Sequence, residues 1–119
     1  MRLGIHVSIA GGMAKMAETA VSLGCESVQI FSRSPRGGKA KDLSLPDVEK
    51  MKSIMAEHDI WPLVVHIPYF VNLASSSPDT RSYSIDVLVE DLQRTETLGG
   101  RYLVTHIGHK RKDEPPESP

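Results

Sequence analysis

The sequence predicts an α/β chain in which parallel strands alternate with helices in the order βαβαβαβ. Three observations predict it: short apolar runs recur along the chain, stretches of helical spacing separate them, and glycine or proline marks most junctions. Parallel neighbours joined by helices require right-handed crossovers.

The first strand is read at Leu3 to Ser8, followed by a turn at Gly11-Gly12. Met13, Met16, Ala17, Ala20 and Val21 then carry the spacing of a helix with one apolar face, and Gly24 suits the left-handed position that ends it. Ser27 to Phe31 is the second strand, and the polar stretch Ser32 to Leu43 is a loop. The next helix is expected near Ser44, with Ser44 and Asp47 as a capping pair, Pro46 in the first turn, and Val48, Met51 and Met55 as its apolar stripe. Trp61 to Val65 is the third strand and His66 to Ser77 a loop. The last helix is expected to bury Ile85, Leu88, Val89 and Leu92, to expose Glu90, Asp91 and Glu96 to solvent, and to stop at Gly99-Gly100. Arg101 to Thr105 is the fourth strand. From Lys110 onward the chain is charged and proline-rich, and residues 113–119 are expected to be a mobile tail.

With 119 residues, 24% charged, 39% hydrophobic and a net charge of −1, this is an ordinary globular composition, and the length allows one domain, residues 1–119. No apolar run reaches the roughly 18 residues of a spanning helix, and the first residues lack a signal-peptide core, so a cytoplasmic protein without membrane contact is expected. A single cysteine, Cys25, excludes an internal disulfide and any zinc site built from cysteine pairs; it reads as a small packed residue. A closed (β/α)₈ barrel needs roughly 250 residues, so this chain would make about half of one. Length and composition alone favour a small self-contained open sheet, and the choice falls to the motifs.

In parallel α/β folds, chemistry gathers beyond the carboxyl ends of the strands. Three of the five histidines sit there: His6 near the end of the first strand, His66 after the third and His106 after the fourth. Each could be a hydrogen-bonded structural residue, but imidazoles at one level of a barrel can also converge on zinc. The loop from Ser32 to Lys41 holds Arg33, Arg36, Lys39 and Lys41 with no acid until Asp42, so it is either a solvated loop or a surface for phosphates. After His66, Tyr69 could stack on a base or sugar and Asn72 could bond a nucleic-acid backbone; equally, Tyr69 and Phe70 could close the top of the core. No Walker, dinucleotide or nucleophile-elbow pattern is present.

In combination, Gly4-Ile5-His6-Val7-Ser8 with Gly11-Gly12, Gln29-Ile30-Phe31 with Ser34-Pro35-Arg36, and His66-Ile67-Pro68-Tyr69 with Asn72-Leu73-Ala74 resemble the N-terminal part of the endonuclease IV family. The resemblance runs from Met1 to about His109 and covers under half of the family's usual length. It implies the first half of a (β/α)₈ TIM barrel like that of xylose isomerase, and zinc-dependent hydrolysis of the phosphodiester 5′ to an abasic site in double-stranded DNA. Up to three zinc ions would activate water near neutral pH, orient the phosphate and neutralise the leaving oxygen. By the same resemblance His66 and His106 are metal ligands, Arg36, Tyr69 and Asn72 are DNA-binding, and His6 and Ser8 line the pocket. Inserting side chains at the lesion makes physical sense, because a nucleotide without its base is the cheapest to extrude. The chain departs from the family where Gly37-Gly38-Lys39 follows Arg36 in place of a tryptophan, and where His106-Ile107-Gly108 replaces His-Pro-Gly.

Two matched ligands cannot hold three zinc ions, so the 119-residue chain is expected to be inactive alone, its partner being the missing C-terminal half or a second copy. The alternatives are a metal-dependent sugar isomerase or epimerase barrel, which would not need the basic loop, and a non-enzymatic DNA-binding or dimerising fragment.

Overall fold

A computed structural model describes residues 1–110. Four strands, β1 (Gly4–His6), β2 (Ser27–Ile30), β3 (Leu63–His66) and β4 (Tyr102–Val104), alternate with three helices, α1 (Met13–Ser22), α2 (Leu45–Glu57) and α3 (Pro78–Leu98). All pairs are parallel and the strand order is β1-β2-β3-β4, so every crossover leads to the adjacent strand. That is the winding of the first part of a (β/α)₈ barrel, as the alternation predicts. The expected mobile tail at 113–119 lies outside the described residues.

The pleat decides which residues meet the helices. Val28 and Ile30 of β2 and Leu63 and Val65 of β3 are buried beneath α1 and α2, joined by Met13, Met16, Ala17, Ala20, Val48, Met51 and Met55. These are the apolar stripes that the sequence shows at helical spacing. Cys25 is half-buried and packs against the same core. A smaller cluster of Ile67, Val71 and Val87 lies under the loop after β3. The alternate positions Gln29, Val64, His66 and Tyr102 face the other side of the sheet.

The helix ends depart from expectation at one point. Ser44 precedes α2 without a side-chain cap. Asp47 does not turn back on its own helix; its carboxylate accepts from the N–H groups of Met13 (2.7 Å) and Ala14 (3.1 Å), capping α1 across the α1–α2 contact. A carboxylate at a helix N-terminus neutralises the positive end of the dipole, and here it also ties two helices together. α3 keeps a local cap, Ser77 Oγ accepting from Thr80 N–H, and ends at Gly99 with φ +74°.

The face of α3 is also corrected. Ile85, Val89 and Leu92 are about half exposed and Leu88 only partly buried, whereas Ser84, Val87, Asp91, Thr95 and Leu98 point inward. Asp91, expected on a solvated face with Glu90 and Glu96, is fully buried. The reason is a polar seam rather than an apolar one: Arg33, only 5% exposed, reaches under the helix from the β2–α2 loop, and α3 turns its charged stripe to meet it.

Candidate metal centre and nucleic-acid interface

The carboxyl ends of the strands carry a connected set of rings. Phe31, one residue past β2, is its hub: its centroid lies 4.6 Å from His6, 5.5 Å from His66 and 5.1 Å from Tyr69, the last two edge-on. His66 and His106 stack at 6.2 Å. Register explains the pairing, since β3 and β4 align His66 with Val104 and His106 follows two residues later.

Both histidines have one ring nitrogen bound to a main-chain carbonyl: Nδ1 of His66 to Ile67 O (2.6 Å) and Nε2 of His106 to Val71 O (2.7 Å). A carbonyl can only accept, so those nitrogens carry the protons. Neutral rings therefore keep a lone pair on Nε2 of His66 and Nδ1 of His106, the state in which histidine ligates metal with its orientation fixed from behind. In donor chemistry the pair fits a zinc site. In number it does not complete one: among the described residues, no group of three or more His, Cys, Asp or Glu side chains could hold a metal.

His6 lies on the same face but not in the pair. Gln29 Nε2 donates to its Nδ1 (2.9 Å), and loss of solvation, with a smaller contribution from His66, holds its pKa below the ordinary histidine value. Ser8 is exposed, and its Oγ accepts from Ala10 N–H (3.1 Å) in the turn toward α1.

Beside the rings, a cleft of about 1010 Å³ opens between the β1–α1 and β2–α2 loops; His6, Ser8 and Phe31 line it together with the cations Arg33, Arg36, Lys39, Lys41 and Arg94 and the carboxylates of Asp42 and Asp47. His66 and His106 are outside it, and His6 and Phe31 join the two. Arg36 sits on a loop whose Gly37 and Gly38 have φ of +123° and +87°, a backbone that suits glycine. Tyr69 is 68% exposed, braced on Phe31, and its N–H donates to Pro35 O (3.2 Å), which ties the β3–α3 loop to the arginine loop.

Asn72 is spent within the protein. Its Oδ1 accepts from the N–H groups of Ala74 (3.2 Å) and His109 (3.0 Å), and its Nδ2 donates to His109 O (2.9 Å). It clips the segment after His106 to the β3–α3 loop. Sequence reasoning missed Phe31 as the hub, Gln29 as the partner of His6, and the buried charges beneath the basic loop. A phenylalanine at a strand end level with two histidines was the one available signal.

A family model described as a xylose isomerase-like TIM barrel matches residues 17–118. A protein named probable endonuclease 4 from Carboxydothermus hydrogenoformans is 42% identical over 111 residues, covering 93% of this chain and 39% of its own length. The probable endonuclease 4 of Methanosphaerula palustris is 42% identical over 109 residues, covering 92% and 38%. The chain thus spans about two fifths of the length of the curated relatives it matches. Among solved structures, endonuclease IV from Thermus thermophilus superposes with a TM-score of 0.86 at 36% identity, covering 93% of this chain and 42% of that one. A D-allulose 3-epimerase from Methylomonas sp. shares the fold at a TM-score of 0.58 and 17% identity, covering 99% of this chain and 41% of that one.

Proposed function

The chain belongs to the xylose isomerase-like TIM barrel family, and from that premise we propose that it is the lesion-binding, metal-ligating portion of an endonuclease IV-type nuclease that hydrolyses the phosphodiester 5′ to an abasic site in duplex DNA. The observation that carries this reading is the coexistence, on one end of one sheet, of two stacked, backbone-oriented imidazoles and a cleft whose lining includes the exposed cations Arg36, Lys39 and Lys41. A sugar isomerase would leave these cations without a task.

In this reading His66 Nε2 and His106 Nδ1 supply two zinc ligands, and further ligands come from outside the described residues. Zinc, when bound, supplies Lewis acidity toward the scissile phosphate and an activated water near neutral pH. The remaining work belongs to this chain. Lys39 and Lys41 form the positive surface along which the phosphate backbone lies, whereas Arg33 is buried and paired with Asp91. Arg36, carried on its glycine-flanked loop, enters the stack where a base is missing, and Tyr69 wedges the minor groove from the neighbouring loop. His6 and Ser8 line the cleft beside the scissile bond. Asn72 contributes by holding the segment after His106, with DNA contact left to its neighbours. A cytoplasmic location goes with this reading.

The test is fluorescence-anisotropy binding to a duplex with one tetrahydrofuran abasic site and to its intact counterpart. Preferential binding to the abasic duplex, weakened in Arg36→Ala and Tyr69→Ala, is the expected result. Equal affinity for both duplexes, with no effect of either substitution, overturns the reading. No cleavage by residues 1–119 alone is expected, because two imidazoles fall short of the roughly three protein ligands a catalytic zinc uses.

A further inference from the structure

The loop from Ser32 to Leu43 contains neither helix nor strand, yet it carries Arg36. Its own hydrogen bonds are few. Arg36 N–H meets Ser34 Oγ at 3.4 Å, Pro35 O accepts from Tyr69 N–H at 3.2 Å, and Leu43 packs on the core. The rest of its path is fixed by two guanidinium groups. Arg94, on α3, donates Nε to Ser32 Oγ (3.2 Å), Nη2 to Ser32 O, and Nη1 to Lys41 O (2.8 Å), so one side chain grips both ends of the loop. Arg33 donates Nη2 to Gly38 O (3.4 Å) in the middle. It is itself anchored to α3, with Nη1 3.4 Å from Asp91 Oδ1 and 3.2 Å from Glu90 Oε1.

A buried charge set is a poor device for stability alone. Arg33 Nε and Asp91 Oδ2 are buried without hydrogen-bond partners, and apolar residues of the same volume would pack at lower cost. What apolar residues could not do is hold three loop carbonyls, those of Ser32, Gly38 and Lys41, in fixed places. We infer that Arg33, Asp91 and Arg94 are positioning residues: together they form a clamp, seated on α3, that sets the path of the loop and so the place from which Arg36 meets DNA. This inference rests on the nuclease reading for the DNA, and on the contacts alone for the loop.

The experiment has two arms, both on the full chain. In limited trypsin digestion, cleavage after Arg36, Lys39 and Lys41 is expected to be about tenfold faster in Arg94→Gln than in wild type, with far-UV circular dichroism unchanged, because the loop opens locally rather than with the whole fold. In the binding arm, Arg94→Gln is expected to lower the preference for abasic over intact duplex roughly fivefold, with affinity for intact duplex held, since misplacing a contact group mainly costs discrimination. Should Arg94→Gln fail to fold, the paired replacement Arg33→Met with Asp91→Leu, which leaves no lone charge in the core, decides instead. Loop cleavage at the wild-type rate overturns the clamp. Faster loop cleavage with an unchanged abasic preference overturns its positioning role. A wild-type chain that shows no abasic preference sinks the nuclease reading and with it the role toward DNA, while the digestion arm still decides whether the clamp holds the loop.

Discussion

A hydrogen atom separates Gly108 from any other residue at its position. A Cβ placed there would lie 2.0 Å from Asn72 Oδ1, and the backbone has φ +105°. Gly108→Ala must therefore break the clip that Asn72 makes with His109 and strain the chain as well, a cost of about 1–3 kcal/mol in urea unfolding. Asn72→Ala tests the clip without the strain: it is expected to leave the fold intact and to speed amide hydrogen exchange at His109, whose N–H the Asn72 side chain holds. At His6 the pKa lies below that of the unfolded chain, so the unfolded state binds more protons as the pH drops below about 6.5. Stability is thus present in full above that value and falls as the pH decreases through the depressed pKa. Urea midpoints in metal-free buffer between about pH 7.5 and 5 should show this slope, and His6→Gln should flatten it. These residue-level roles were only half visible in the sequence. That His66 and His106 follow strands could be read directly, but the carbonyls that orient their rings belong to Ile67 and Val71, and a main-chain acceptor leaves no residue-type signal.

At the level of elements, the helices and strands were legible because their apolar periodicity is strong, and their caps and faces were less so because these depend on what lies opposite. Asp47 illustrates the point. Three residues after Ser44 it has the spacing of a local cap, yet the free N–H groups of Met13 and Ala14 lie within reach across the α1–α2 contact, and it satisfies those. Asp47→Ala removes two charge-assisted bonds and should cost about 1–2 kcal/mol by thermal or urea unfolding, more than a solvent-exposed cap would. The same non-local logic inverted α3. Ile85, Val89 and Leu92 form an apolar stripe as good as any in the sequence, but the inward face is set by Arg33, whose side chain is 4% exposed and needs Asp91. Replacing Asp91 alone by Ala leaves that guanidinium buried with only Glu90 at the rim, and should destabilise the chain by about 3–5 kcal/mol, whereas Arg33→Met with Asp91→Leu should recover most of the loss.

At the scale of the whole molecule, the sheet formed by the described residues is open, with β1 and β4 each paired on one side. The sequence shows which strands neighbour one another, because each crossover is local, but closure of a sheet is a property of its two edges and no single segment encodes it. Those edges are β1 and β4, and they are flanked by apolar side chains left in solvent: Ile5 at 53%, Tyr102 at 55% and Val104 at 41% exposed. The outer stripe of α3 adds Ile85, Val89 and Leu92, each about half exposed. Unpaired edge strands bordered by apolar surface are templates for association with another chain, and nothing on β1 or β4 blunts them, since neither carries a proline or a lysine. The 119-residue chain is therefore expected to self-associate in a concentration-dependent way, with the weight-average mass in sedimentation equilibrium rising above the 13.1 kDa monomer as the concentration is raised. Val89→Lys with Leu92→Lys should shift that curve toward the monomer without lowering thermal stability, because both side chains are solvent-facing. A wild-type chain that stays monomeric across the whole range would mean that the apolar stripe and the two open edges are too small, or too curved, to recruit a neighbour.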